Sequence, residues 1–178
     1  ASPGIVPQHP AIVADGAIGA ISDLSKVALI VTDGDGTPHL EKALNKGIPI
    51  CLHAHGDNQE SWSRILSLID ENQEVILTHQ TPYHIEGMHN PGGFTDGDRA
   101  VCIALALGAT DASAIHTARS PSVCIALALG ATDVELVGFS INDVGQWSGV
   151  TDEKRKLIKL KWMNKVLQIL SLRVNDEE

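Results

Sequence analysis

The sequence predicts an α/β fold: a mostly parallel β-sheet with helices on both faces, in a single domain spanning residues 1–178. Three observations lead there. Short apolar runs rich in β-branched residues alternate with stretches of helical period. Most of the runs close on polar or Gly-rich residues, as strands do when they enter ligand-facing loops. The composition is globular, with 43% hydrophobic residues in a chain long enough to bury a core unaided.

The elements follow in order. "AIVADGA" (Ala11–Ala17) reads as a buried strand entering a turn, and "KVALIVTDGDGT" (Lys26–Thr37) as a stronger one closed by Asp-Gly-Asp-Gly. "HLEKALNKG" (His39–Gly47) is a helix with Gly at C′. "IPICLHAHGDN" (Ile48–Asn58) is the third strand. In "NQESWSRILSLIDEN" Asn58 serves as N-cap, with Trp62, Ile65, Leu66 and Ile69 on one face. "EVILTHQT" (Glu74–Thr81) and "VELVGFS" (Val134–Ser140) are further strands, and Thr151–Leu172 is a late amphipathic helix.

Eleven residues, Val101–Asp111, recur unchanged at Val123–Asp133, 22 positions on. "VCIALALGA" alternates like a strand. Its Ala and Leu content, a cap at Thr95 or Asp96 and Gly108 at C′ favour a buried helix. The second copy has its own start, Ser120 and Pro121. The first copy is expected to dock, being contiguous with Thr95–Arg99, with residues 112–133 as an insertion before the next strand.

A net charge of −9 argues against a nucleic-acid or anionic-membrane partner. It is compatible with a phosphorylated substrate bridged to carboxylates by a divalent cation. Cys51, Cys102 and Cys124 follow no disulfide or zinc spacing and read as buried thiols of a cytoplasmic protein. No signal peptide or bilayer-length apolar run is visible.

Three loops carry chemistry. Asp33 and Asp35 in "TDGDGT" place two carboxylates at a strand end, where they can hold Mg²⁺ on phosphates; an ordinary Asp-Gly turn is the plain alternative. "HAHGDN" supplies His53, His55, Asp57 and Asn58, either a metal pair or a hydrogen-bonding one. "NPGGFTDGDRA" supplies Asn90, Gly92, Gly93, Phe94, Thr95, Asp96, Asp98 and Arg99 at a helix start, where backbone N–H groups suit anions and the carboxylates suit a metal or serve as caps. Lys154, Arg155, Lys156, Lys159 and Lys161 form either a solvated basic face or a counter-charge for a triphosphate.

Taken together, "VTDGDG", "HAHGDN", "THQTP", "PGGFTDGDRA" and "KRKLIKLKW" resemble, in this order, the archaeal 6-hydroxymethyl-7,8-dihydropterin diphosphokinase family, itself related to thiamine diphosphokinase. The resemblance implies a Rossmann-like domain similar to the thiamine diphosphokinase catalytic domain. It implies Mg²⁺-dependent transfer of diphosphate from ATP to the hydroxymethyl group of a dihydropterin, releasing AMP, in methanopterin or folate synthesis, with a homodimer expected. Asp33, Asp35 and Asp96 are then the metal-holding catalytic set. His53, His55, Asp57, Asn58, Thr78, Gln80, Asn90, Gly92, Gly93, Phe94, Thr95, Asp98, Arg99 and Lys156 are the substrate and nucleotide contacts.

Where the resemblance implies a Gly-rich segment upstream of "ADGA", the sequence reads "ASPGIVPQHP", and it carries the duplication, so it is expected to depart from the family in both places. Removing 22 residues restores the family pattern, "GGFTDGDRAVCIALALGATDVELVGFS". Three alternatives stay open. One is a thiamine-type acceptor. Another is a haloacid-dehalogenase-like phosphatase, whose D-x-D-G-T would make Asp33 a nucleophile and Asp35 a general acid. The third is a folded scaffold without activity.

Overall fold

The computed structural model describes residues 4–7, 10–36, 38–93, 96–108, 112–115, 134–137, 152, 154 and 157–158. The chain divides into two compact units, Ala1–Pro91 and Gly92–Glu178, taken here in turn.

The first unit is a four-stranded parallel sheet in the order β1-β2-β3-β4, formed by β1 (Ala11–Ala14), β2 (Val27–Thr32), β3 (Ile50–Ala54) and β4 (Val75–His79). Two 3₁₀ turns, Asp15–Ala20 and Leu24–Lys26, lead from β1 to β2. Helix α1 (His39–Leu44) links β2 to β3, and α2 (Gln59–Leu68) links β3 to β4. Between sequential parallel strands, the general preference for right-handed crossovers sends such connections to one face. There Val13, Ile30, Ile50 and Leu52 pack with Ile18, Leu40, Leu44 and Ile65 in one core. The alternate residues Leu29, Val31 and Cys51 are buried as well. Both faces of the central strands are therefore withdrawn from water, which is why β2 reads as an unbroken apolar run.

Two local expectations change. Helix α1 stops at Leu44 with Asn45 as its cap, so Gly47, at φ +71°, lies one residue beyond C′ and receives the chain as it turns towards β3. In α2, Ile65 is buried and Trp62, Leu68 and Ile69 pack partly against the core, whereas Leu66 is 47% exposed. One residue is 100° of helical rotation, so Leu66 leaves the face that Ile65 occupies.

In the second unit residues 101–106 of the first repeat copy complete helix α3 (Asp96–Ala106), the helix that the Ala-Leu content favours. Gly108 takes the left-handed C′ conformation at φ +92°. Asp96 is the first helical residue rather than the cap, and Thr95 and the second copy, Val123–Asp133, lie outside the described residues. Ala100, Cys102 and Ile103 are buried while Leu107 is 70% exposed, so the helix is amphipathic rather than buried all round.

The segment after the first copy is itself a strand, β5 (Ala112–Ile115), paired in parallel with β6 (Val134–Val137). The pairs run Ala112↔Val134 to Ile115↔Val137. Their separation, 134 minus 112, is the 22-residue offset of the sequence repeat. Each strand follows one copy of the repeat in sequence, and the two lie side by side at the offset of the duplication. Among the described residues no helix is long and apolar enough to cross a membrane.

Candidate active site

Parallel strands bring all their carboxyl ends to one edge, so residues far apart in sequence meet there. Asp15 follows β1 and Asp33 follows β2, and a carboxylate oxygen of each lies within 4.8 Å of the other. Asp15 adopts φ +47°, outside the usual range of a residue with a Cβ. Its position is held by Thr32, whose buried hydroxyl donates to Asp15 Oδ1 at 2.6 Å and accepts from Gly34 N–H at 2.9 Å. Gly36 returns so close that a Cβ on it would stand 2.5 Å from Asp15 Oδ1 and 2.6 Å from Gly16 N. The Asp-Gly-Asp-Gly loop needs that glycine for space.

Burial raises Asp15, and a hydrogen bond and repulsion from the Asp35 carboxylate raise it further, to about 7; the Thr32 hydroxyl opposes this. Asp33 is also raised, by burial and then by the Asp35 charge, against the pull of the Asp35 N–H and of His55. Like charges are thus concentrated where little water screens them. Carboxylate oxygens so arranged fit a hard divalent cation such as Mg²⁺, which would relieve the repulsion that raises both groups.

The loop after β3 locks onto this cluster. His55 Nε2 lies 3.3 Å from Asp33 Oδ2, and its Nδ1 lies 2.5 Å from Asp57 Oδ1. Asn58 was expected to cap α2 through its side chain, but it makes no such bond. Instead it accepts from His55 N–H at 3.1 Å and donates to Asp33 O at 2.9 Å and His53 O at 2.8 Å. Asn58→Ala removes all three bonds. It is expected to lower stability by about 3 kcal/mol, read as a lower midpoint in urea unfolding, since each bond contributes roughly 1 kcal/mol. From α2, Arg64 Nη2 donates to Gly34 O at 2.7 Å and Trp62 Nε1 to His53 O at 2.8 Å.

The other predicted residues lie as follows. His53 is buried within β3 with Nδ1 3.1 Å from Thr78 Oγ1, so this pair joins neighbouring strands beneath the edge. Gln80 is exposed just past β4, and Asn90 donates to Thr81 O at 3.0 Å. In the second unit Gly92 and Gly93 are left-handed, at φ +87° and +85°. Arg99 is buried and bonds Gly93 O and Asp96 Oδ1, both at 3.2 Å, bracing the loop onto the start of α3. Phe94, Thr95, Lys156 and the side chain of Asp98 lie outside the described residues.

Asp15 and Thr32 are the residues that motif reading did not single out. Their only signal is that "ADG" and "VTDG" both end strands.

No protein-family model matches the chain. Three curated archaeal proteins do, each named 6-hydroxymethyl-7,8-dihydropterin pyrophosphokinase. The one from Methanothermobacter thermautotrophicus is 44% identical over 100 residues, 55% of this chain and 41% of that protein. The one from Pyrococcus furiosus is 33% identical over 168 residues, 89% of this chain and 61% of that protein. The one from Methanocaldococcus jannaschii is 37% identical over 117 residues, 58% of this chain and 47% of that protein. The chain thus spans about half the length of the relatives it matches.

Proposed function

Since the chain is a relative of the archaeal 6-hydroxymethyl-7,8-dihydropterin pyrophosphokinases, we propose that it transfers diphosphate from ATP to the hydroxymethyl group of a dihydropterin, releasing AMP. The observation that supports this reading most is the pairing of Asp15 and Asp33, both raised in pKa by burial and by the nearby Asp35, at the carboxyl edge of a parallel sheet.

Alone, such a cluster would repel a triphosphate. Asp15 and Asp33, with Asp35 as the family resemblance implies, would hold Mg²⁺, and the edge would then attract the triphosphate. The bound ion supplies positive charge to the phosphate oxygens. The chain's own part is positioning. Thr32 and Gly36 set Asp15, while His55 and Asn58 set the Asp33 loop. The acceptor hydroxyl then forms its bond to the β-phosphorus and loses its proton. The bond from that phosphorus to the bridging oxygen breaks, and AMP leaves.

The test is chromatographic detection of AMP from mixtures of the chain, ATP, Mg²⁺ and 6-hydroxymethyl-7,8-dihydropterin. AMP is expected only when all are present, with a loss of about 10³-fold in Asp33→Asn, typical for removal of an electrostatic stabiliser of transferring charge. AMP formation without the pterin, or none from a folded chain, would refute the reading.

A further inference from the structure

The first unit carries a cleft of about 420 Å³ in the loop that follows β4, within the size range of small-molecule sites. Tyr83, His84, Met88, His89 and Asn90 line it, with His79 at the strand end. The loop is braced. Thr81 N–H donates to His79 Nδ1 at 3.2 Å, which makes Nδ1 the accepting nitrogen, and Asn90 ties back to Thr81 O. His89 returns to the edge of β4, its N–H on Leu77 O and its carbonyl accepting from His79 N–H, both at 2.9 Å. The cleft is therefore preformed rather than a gap in a slack loop.

Its chemistry is selective. None of the residues lining it is Asp, Glu, Lys or Arg, so imidazoles are its only chargeable groups and it holds no permanent charge for a phosphate chain. Imidazole, phenol, amide and thioether groups suit a flat, uncharged ring with donors and acceptors on its rim. Tyr83 is 78% exposed there, a large aromatic surface left to water beside a cleft it lines. β4 lies two strands from β2, roughly 10 Å across the sheet, and the loop that forms the cleft leaves from the same carboxyl edge as Asp33. A ring seated in it can extend a substituent towards Asp33.

We propose that this cleft seats the heteroaromatic ring of the acceptor, with Tyr83 as its stacking face; the identity of that acceptor rests on the reading above. Adenine shares the flat, uncharged chemistry, so the test must separate the two rings. Tyr83 is the only tyrosine in the chain, which makes nitration a single-site probe.

The full chain is treated with tetranitromethane, without ATP or metal, in the presence of 6-hydroxymethylpterin or of adenosine, and nitration is followed by mass spectrometry. Pterin binding to wild type, Tyr83→Ala and Asp33→Asn is titrated by pterin fluorescence. Tyr83 is exposed, so its removal leaves the core intact.

The expected result is at least fivefold slower nitration with the pterin and unchanged nitration with adenosine. Tyr83→Ala should weaken pterin binding about tenfold, while Asp33→Asn leaves it unchanged. Wild-type pterin affinity in Tyr83→Ala, or protection by adenosine instead of the pterin, overturns this assignment and leaves the proposed transfer standing. A wild-type chain that binds no pterin overturns both.

Discussion

Asp15→Asn should melt at a higher temperature than the wild-type chain at pH 7.5 while losing transfer by about 10³-fold, roughly 4 kcal/mol of barrier. The stability gain follows from the raised Asp15 pKa, about 7 in the fold against 3.8 as its ordinary value. Between these values the folded chain holds a proton that the unfolded chain has released. Its contribution is complete below pH 3.8 and is lost as pH rises through 7. Above that, an ionised Asp15 sits in a poorly hydrated place facing another carboxylate.

Asparagine keeps an oxygen for the Thr32 hydroxyl and offers an N–H₂ to Asp35, so the geometry survives without the charge. The melting difference should open between pH 4 and 7 and reach about 3 °C or more, since 1 kcal/mol moves a domain of this size by a few degrees. Saturating Mg²⁺ should reverse the order, because only the wild type gains from holding the ion. Scanning calorimetry across pH, with and without Mg²⁺, checks both; a variant less stable than wild type at pH 7.5 would refute the account.

Gly36→Ala is expected to be the most damaging single-methyl change in the unit. The added carbon meets Asp15 Oδ1 at 2.5 Å and the Gly16 nitrogen at 2.6 Å, and a backbone atom at the end of a buried strand does not move aside cheaply. A loss of about 3 kcal/mol in urea unfolding should accompany loss of Mg²⁺ binding measured calorimetrically. Gly56→Ala is the control. Gly56 is left-handed at φ +99° but nothing lies within 4 Å of its added carbon, so it should cost about 1 kcal/mol of backbone strain and no more. Equal losses in the two variants would mean that crowding of Asp15 plays no part.

The architecture was legible because its signals are local. A β-branched run closed by Asp-Gly marks the end of β2, and Ala-Leu content followed by Gly108 identifies the repeat as a helix. The site was legible in halves. Asp33, His55 and Asn58 stand within motifs, whereas Asp15 is one carboxylate in a short "ADG", and its neighbourhood with Asp33 exists only once β1 and β2 lie parallel. Asn58 does stand at the N-cap of α2, but its side chain caps nothing for a chemical reason: the amide that suits an N-cap also suits the backbone groups of two adjacent strand ends, and the latter claim all of its described side-chain bonds. The cleft after β4 has no residue spacing to announce it, since it is made by a loop folding back on a strand edge.

The pairing of β5 with β6 has a consequence for how this chain can change length. Each residue of one strand faces the residue 22 positions away, the step by which the sequence repeats. Partners in a parallel pair share a sheet face, and a slip of one residue would carry every side chain of that strand to the other face. Excising residues 112–133 would bring Val134–Val137 behind the same helix, with the sequence unchanged up to Asp111. Loss of one copy would thus leave α3 followed by a strand of different sequence, VELV in place of ASAI.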